Sequence, residues 1–224
     1  MRKFVIMGPQ GSGKGTQAKL LCDACDLVHI SVGDIFRWHV QKHTKLGAKV
    51  KRIVAEGHLV PDDLVEEVVG ERLAQHDWNY GFLLDGFPRN LVQAEFFLET
   101  YDIDAVLHLD VPRAVVRERI LARLLCSACG LDYNLIYHRP TVADTCDVCR
   151  GRLVQRPDDS PEAVEARLDD YEAKTRPILE LFRRKEYVVD LDGTRAPAAI
   201  QAEIRARLGE QLEQRTVRPA GVLR

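Results

Sequence analysis

The stretch GPQGSGKGTQ, residues 8–17, is the part of the sequence that says most about the fold. It matches the phosphate-loop pattern G-x-x-x-x-G-K-[ST] with one departure. The pattern places a hydroxyl directly after the lysine, whereas here Lys14 is followed by Gly15 and the hydroxyl comes at Thr16. An apolar run that resembles a strand precedes the stretch and a helical pattern follows it, which is the context that the mechanism requires. The stretch therefore predicts a phosphate-binding loop between a strand and a helix.

The composition of this loop explains how it would bind an anion. Its glycines allow successive backbone N–H groups to converge on phosphate oxygens. The N-terminus of the following helix adds partial positive charge, and the Lys14 ammonium would reach the terminal phosphates. A simple tight turn with an unrelated lysine would not need the glycine spacing. We therefore predict a nucleotide-binding protein.

Composition places the chain among ordinary globular proteins. It has 224 residues, 46% hydrophobic and 29% charged, and a formal net charge of −2, so we expect no nucleic-acid or membrane partner. No apolar run approaches the roughly 18 residues of a membrane helix. The apolar run at residues 4–7 ends at Gly8, too early for a signal peptide. We expect a cytoplasmic protein whose six cysteines are thiols or metal ligands.

Short apolar runs alternate with longer helical patterns along the chain. The strand candidates are KFVIMG (3–8), LVHIS (27–31), GFLLDGF (81–87), AVLHLDV (105–111) and YVVDLDG (187–193). Helical patterns occupy residues 64–76, 91–99 and 113–124, and Ser160-Pro161 is a candidate N-cap and first turn. The alternation predicts an α/β fold: a three-layer sandwich with a central parallel five-stranded sheet, and ligands at the carboxyl ends of its strands.

Two stretches interrupt the alternation and read as insertions. We predict a core domain from residues 1–31, 61–122 and 160–208. Residues 32–60 would form a helical lobe, and residues 123–159, with four cysteines, would form a small separate unit. The polar tail, residues 209–224, is expected to be largely frayed.

The cysteine spacing is C-x₂-C-x₁₆-C-x₂-C, given by Cys126, Cys129, Cys146 and Cys149. This spacing is a strong signature of a structural zinc site, because four thiolates close a tetrahedron and leave no position for water or substrate. A small inserted unit has little core of its own, so a metal would stabilise it. A second pair, Cys22 and Cys25, is interpreted as buried packing or a local thiol pair.

The phosphate loop also resembles that of the nucleoside monophosphate kinases, in which the lysine is followed by Gly and Thr. Further segments then resemble the adenylate kinase family, in family order, over about residues 1–208. They are ISVGDIFR (30–37), EGHLVPDDLV (56–65), GFLLDGFPRNLVQA (81–94), RPDDSPEAVEARL (156–168) and DLDGT (190–194). The family's zinc-bearing lid has the cysteine spacing found here. The loop itself departs at Pro9-Gln10, where the family more often has another residue followed by proline.

The resemblance implies transfer of a phosphoryl group from Mg·ATP to AMP, giving two ADP. The acceptor phosphate oxygen is already anionic, so positioning and charge neutralisation suffice without a general base. The expected catalytic residues are Lys14, Arg89, Arg123, Arg156, Arg167 and Asp85. The expected partners are ATP, AMP and ADP, the cofactors are Mg²⁺ and a structural Zn²⁺, and the protein is expected to be a monomer.

The resemblance also assigns two nucleotide sites. The ATP site would contain Gly11, Ser12, Gly13, Lys14, Gly15, Thr16, Arg123, Asp132, Tyr133 and Arg195. The AMP site would contain Val32, Arg37, His58, Leu59, Val60, Gly86, Phe87, Pro88, Arg89, Gln93, Arg156 and Arg167. Asp85 would anchor the water shell of Mg²⁺, with Asp34 as a second candidate, in place of the hydroxyl that the loop lacks beside its lysine.

Three departures from the family pattern leave alternatives open. Val32 replaces a threonine near the acceptor base, the second arginine of a "GRR" pair is absent at residues 122–125, and His58 replaces a lysine. Gln93 remains as the side chain expected to read the adenine edge. One alternative is a related kinase with a different acceptor or donor base. Another is a zinc-ribbon regulatory or nucleic-acid-binding protein that uses ATP as a switch.

Overall fold

The computed structural model describes residues 2–156 and 158–217, and side chains through residue 209. Its strands are β1 (Lys3–Met7), β2 (Leu27–Ser31), β3 (Gly81–Asp85), β4 (Ala105–Asp110), β5 (Arg123–Cys126), β6 (Asp132–Asn134), β7 (Leu153–Val154) and β8 (Val188–Asp192). A parallel five-stranded sheet has the order β2-β3-β1-β4-β8. The five predicted strands and the predicted sheet are therefore confirmed.

The helices follow in the alternation that the sequence predicts. They are α1 (Lys14–Cys25), α2 (Val32–Gln41), α3 (Lys45–Glu56), α4 (Asp62–Ala74), α5 (Leu91–Thr100), α6 (Arg113–Leu121), α7 (Pro161–Asp170), α8 (Ile178–Lys185) and α9 (Pro197–Val217), with a π-helical turn at Tyr171–Thr175. Ser160 caps α7 by accepting a hydrogen bond from the N–H of Ala163, and Pro161 occupies the first turn, as predicted. None of the helices in the described ranges is both long and apolar enough to cross a membrane.

Both faces of the sheet are buried, which explains why its strands are continuous apolar runs rather than alternating ones. All five residues of β3 are buried. Phe82 and Leu84 pack with Phe97 and Phe182 on one face. Leu83 faces the opposite cluster, which includes residues of α1 and α9. The expected three-layer sandwich is thus present.

The two predicted insertions have different structures. Residues 32–60 contain α2 and α3, which pack on each other. Residues 123–159 contain an antiparallel sheet of order β6-β5-β7 and a small buried cluster around Tyr133 and Leu153. The division of the chain into domains at these boundaries stays a prediction.

One predicted boundary was wrong, and the extent of the predicted tail stays a prediction. The helix predicted at residues 113–124 ends at Leu121, because Arg123 already pairs with Asn134 in the small sheet. The backbone of α9 continues as a helix through residues 209–217, while Ile204 and Leu208 bury the preceding turns against the core, and the fraying expected of residues 209–224 stays a prediction. A single helical glycine costs only about 1 kcal/mol, so Gly209 does not end the helix. Residues 218–224 of the predicted tail lie outside the described residues.

Candidate active site

A cavity of about 1120 Å³ lies at the carboxyl ends of the parallel strands. The loop after β1, the start of α2 after β2 and the segment after β3 all open into it. Such a position is expected for a ligand site in an open α/β sheet. Every residue predicted for the two nucleotide sites lines this cavity, from the phosphate loop to Arg195. The structure therefore brings together residues that are up to about 180 positions apart in the chain.

The phosphate loop has the backbone conformation that the glycine pattern predicts. Gly11 has φ +81°, and a β-carbon there would lie 2.6 Å from Ile120 Cγ1, so this position requires glycine. Gly13 has φ +95° and is the N-cap of α1, with no side-chain group occupying the helix terminus. The Ser12 hydroxyl is buried and has no hydrogen-bond partner among the described residues. The N-terminus of α1 is thus open toward the cavity for an anion.

Lys14 is the cation at the centre of the loop. Its Nζ donates to the carbonyl oxygen of Pro9 at 3.2 Å, which directs it back over the loop. Burial, reinforced by Arg89 and Arg123 and opposed by the attraction of Asp85, lowers the pKa of Lys14 to about 8. A bound anion would offset the surrounding positive charge and so stabilise the charged form of Lys14.

Arginines from four other segments surround the same space, and several of them are paired with carboxylates. Arg123 donates to the fully buried Asp159 through Nε at 2.9 Å and Nη2 at 2.5 Å. Arg156 Nη2 lies 2.6 Å from Asp132 Oδ1. Burial lowers the pKa of Arg156, with Arg123 contributing in the same direction. These pairs hold the guanidinium groups in defined places before any ligand binds.

Two further arginines belong to the segment after β3 and to α2. Arg89 donates through Nε to the Gly86 carbonyl oxygen at 2.8 Å. Burial and the nearby Arg167 lower the pKa of Arg89 to about 10. Arg37 pairs with Asp34 one turn earlier on α2. The crowding of cations indicates a site that is completed by a polyanion.

Asp85 is a buried carboxylate at the end of β3. Burial raises its pKa, but the neighbouring His29 and Lys14 reverse this effect, so the pKa lies below its ordinary value. His29 Nε2 is 3.5 Å from Asp85 Oδ2. The same carboxylate oxygen lies 3.9 Å from where a β-carbon on Gly15 would be. Asp85 is thus an ionised group directly beside the phosphate loop, where a hydrated cation next to phosphates could be held.

The side chain expected to read the acceptor base is already held on both ends. Gln93 is buried, its Oε1 accepts from the Arg89 backbone N–H at 2.9 Å, and its Nε2 donates to Asp62 Oδ1 at 2.7 Å. Asn90 donates to the same oxygen of Asp62 at 2.7 Å. Asp62 therefore fixes which way the Gln93 amide faces, leaving one further N–H and one lone pair for a ligand.

Sequence reasoning missed several residues of this cavity. The sequence pattern indicated no role for Asp158 and Asp159, which are both buried, although adjacent carboxylates beside predicted arginines were a usable signal. Gln10 was noted only as a departure from the family pattern. Arg119 lies with its guanidinium carbon 5.3 Å from the Tyr137 ring centroid and donates to the Gly193 carbonyl oxygen at 2.8 Å, and no local pattern marked it.

The four predicted metal ligands lie together in the small sheet region. The sulfur atoms of Cys126, Cys129, Cys146 and Cys149 all lie within 4.8 Å of one another. The distance is 3.3 Å between Cys126 and Cys149 and 3.7 Å between Cys129 and Cys146. Zinc–sulfur bonds of about 2.3 Å in a tetrahedron place sulfur atoms about 3.8 Å apart, so the cluster fits this metal. Backbone N–H groups of Cys149 and Val148 lower the pKa of Cys146, which favours the thiolate that binds metal.

Comparison with known proteins identifies the family. A family model described as "Adenylate kinase" matches residues 6–187. The chain is 42% identical over 211 residues to an adenylate kinase of Methanocella arvoryzae, covering 92% of this chain and 98% of the relative. The chain belongs to the adenylate kinase family. An adenylate kinase of Clostridium tetani is also 42% identical over 211 residues, with the same coverage of both chains. One from Thermoanaerobacter sp. is 40% identical over 214 residues, or 93% of this chain and 99% of the relative.

The structure shows where the three departures from the adenylate kinase pattern lie. Val32 is buried at the start of α2 and lines the cavity. His58 lines the cavity in the segment that follows α3. Leu124, where the family's second arginine would stand, packs on the small cluster of the cysteine region. The zinc-ribbon alternative loses its support, because the cysteines are one part of a chain whose other motifs belong to this family.

Proposed function

We propose that this protein is an adenylate kinase that transfers the terminal phosphoryl group of Mg·ATP to AMP, giving two ADP. The observation that carries the proposal is the convergence of six cations from separate segments on one cavity, around a phosphate loop. They are Lys14, Arg37, Arg89, Arg123, Arg156 and Arg167. Two nucleotides bring many negative charges together, and such a set of cations would neutralise them. The names of the relatives support the same reaction.

The two ends of the cavity suit different substrates. The phosphate loop, Arg123, and the β6 residues Asp132 and Tyr133 form the end we assign to ATP, with the Arg195 backbone near the donor base. The end between α2 and the segment after β3, lined by Val32, residues 58–60 and Gln93, is assigned to AMP. Gln93, held by Asp62, would read the adenine edge through its free N–H and lone pair.

Catalysis would rest on placement and charge. Lys14 and the loop N–H groups hold the donor phosphates, and the arginines between the two ends stabilise the charge that develops on the transferred group. The acceptor is a phosphate oxygen, which is already an anion, so no side chain needs to remove a proton. Residues 123–159 would close over the donor phosphates as a lid and residues 32–60 over AMP, excluding water that would otherwise hydrolyse ATP.

Two metals complete the proposal. Mg²⁺ would be held through its water shell by Asp85, next to Gly15 and the phosphates, and it would neutralise phosphate charge when bound. Zn²⁺ would be held by the four cysteines and would stabilise the lid, which has few buried apolar side chains of its own. We further propose a cytoplasmic monomer with no nucleic-acid or membrane partner.

The test is an acceptor panel with Mg·ATP and AMP, GMP, CMP or UMP, with product formation followed by chromatography. We expect AMP to be clearly preferred in kcat/KM. A second candidate function, transfer to another monophosphate, is favoured by one observation: Val32 offers no hydroxyl beside the acceptor base. Preference for GMP, CMP or UMP would support that candidate, and no transfer to any monophosphate would contradict both.

A further inference from the structure

Gln10 lies in the phosphate loop, and its side chain joins two charged groups from a distant part of the chain. Its Nε2 donates to Asp159 Oδ1 at 3.1 Å, and its Oε1 accepts from Arg167 Nη1 at 2.6 Å. These partners lie 149 and 157 positions further along the sequence. One neutral side chain thus bridges a buried carboxylate and a guanidinium group.

The two contacts require the amide group. A carboxamide has a donor end and an acceptor end, and here each end faces a group of matching charge. A glutamate would place a second anion against Asp159, and a methionine of similar length could make neither bond. The proline that the family pattern more often has at this position could also make neither bond. The contacts are therefore a property of this chain rather than of the loop in general.

Gln10 is the link between the phosphate loop and Arg167. The terminal nitrogens of Arg167 also donate to Asp158 Oδ2 at 2.7 Å, to the Asp158 carbonyl oxygen at 2.8 Å and to the Val54 carbonyl oxygen at 3.2 Å. Those acceptors belong to the segment before α7 and to α3. Without Gln10, Arg167 would keep its hydrogen bonds to these two segments but would lose its direct hydrogen bond to the phosphate loop.

The same side chain reaches a second phosphate-binding arginine through Asp159. This carboxylate is fully buried and accepts from Arg123 at 2.9 Å and 2.5 Å. Gln10 supplies an additional donor to the oxygen that Arg123 Nη2 contacts. A buried carboxylate that accepts three hydrogen bonds is held in position, and so is the arginine paired with it.

We infer that Gln10 is a positioning residue, which sets the guanidinium groups of Arg167 and Arg123 relative to the phosphate loop. The inference rests on the proposed function, in which both arginines contact transferring phosphates. A guanidinium group that is displaced stabilises the transition state less well, while ground-state binding by the remaining cations continues. The expected signature is a lower kcat with little change in KM.

The experiment compares the full-length protein with its Gln10→Met variant under saturating Mg·ATP and AMP. We expect kcat to fall about tenfold and each KM to change less than about twofold, since two hydrogen bonds to charged groups are lost. In an Arg167→Lys background the same substitution should cost less than about threefold, because one of the two guanidinium groups that it positions is already absent. An equal loss in both backgrounds, or no loss in the first, would overturn the inference.

A matched control separates positioning from a general effect on the hinge, which is the segment before α7 that contains Gln155 and Asp159. Gln155 Nε2 lies 3.4 Å from the backbone oxygen of Asp159, so Gln155 contacts the same residue as Gln10 but has no hydrogen bond to Arg167 among the described residues. Gln155→Met should keep kcat within about twofold of the parent protein, since it removes one weak hydrogen bond on the surface of the hinge. A loss equal to that of Gln10→Met would assign the effect to the hinge and contradict the inference.

Amide hydrogen exchange gives a readout that is independent of turnover. The Asp159 N–H donates to the Arg156 carbonyl oxygen at 3.0 Å. In Gln10→Met, peptides covering residues 158–168 should exchange about fivefold faster, because the buried carboxylate loses a donor. Unchanged exchange would contradict the contact itself. Faster exchange in a protein that transfers nothing to AMP would instead uphold the contact and refute the proposed function.

Discussion

Raising the pH above 8 should inactivate the free enzyme through Lys14. Burial and the surrounding arginines lower the pKa of this lysine from its ordinary value of 10.5 to about 8. The ammonium is therefore present below pH 8 and is lost as the pH rises through that value. Since kcat/KM reports the protonation of the free enzyme, it should be constant up to about pH 7.5 and then fall.

The size of the effect follows from the shifted pKa. At pH 9 a lysine with a pKa of about 8 is protonated in roughly one molecule of eleven, so kcat/KM for Mg·ATP should fall about tenfold. A lysine with the ordinary value would still be almost fully charged there. The kcat measured at saturating ATP should fall later, because bound phosphates raise the pKa of Lys14.

The loss of activity should not come from unfolding. The pKa of Lys14 is lower in the folded state than in the unfolded chain. Between pH 8 and 10.5 the unfolded chain therefore holds more protons at this group than the folded state does. This group alone therefore makes the folded state more stable as the pH rises through that window. Circular dichroism across the titration provides the check on folding.

The assay is initial-rate ADP formation measured by quench and chromatography from pH 6 to 9.5, which avoids coupling enzymes with their own pH limits. Lys14→Arg serves as the control, because its guanidinium stays charged throughout and its residual kcat/KM should be independent of pH. A kcat/KM that shows no break up to pH 9.5 in the parent protein would refute the argument. An identical break in Lys14→Arg would refute it equally, by assigning the titration to another group.

The remaining predictions concern the cysteine cluster and the acceptor pocket. Cys146→Ser should release the zinc and lower the melting temperature, while phosphoryl transfer at low temperature is largely retained. Metal analysis and calorimetry would measure the first two effects. The control variant Cys22→Ser, outside the cluster, should keep its zinc. Activity lost with zinc retained would contradict the structural role. Val32→Thr should lower KM for AMP about fivefold and leave KM for ATP unchanged, because it supplies a hydroxyl where a neutral hydrogen bond contributes about 1 kcal/mol. An unchanged KM for AMP would show that this position does not contact the acceptor.

In the acceptor pocket, the sequence predicted a residue but not the contact that holds it. Gln93 was predicted as the residue that reads the base, but its contact with Asp62 was not. The two residues belong to different helices, α5 and α4, and nothing in either segment specifies the distance between them. Only the packing of these helices on the sheet brings the carboxylate to the amide.

The small sheet region shows the opposite case. Its four ligands were predicted from spacing alone, and the structure places their sulfur atoms within 4.8 Å of one another. Two C-x₂-C pairs each turn within four residues, so most of the geometry is local. The end of α6 was less predictable, since its helical pattern continued to Leu124 while strand pairing with β6 ended the helix at Leu121.

The sequence by itself determined what depends on local spacing. The glycines around Lys14, the continuous apolar strands and the cysteine pairs each act within one element, where neighbouring residues set the geometry. The tertiary structure decided which elements meet. The strand order β2-β3-β1-β4-β8 places the ends of separate strands at one edge, and there Gln10 meets Arg167 and Asp159. Contacts across such distances depend on how the whole core packs, and no single segment of the chain encodes them.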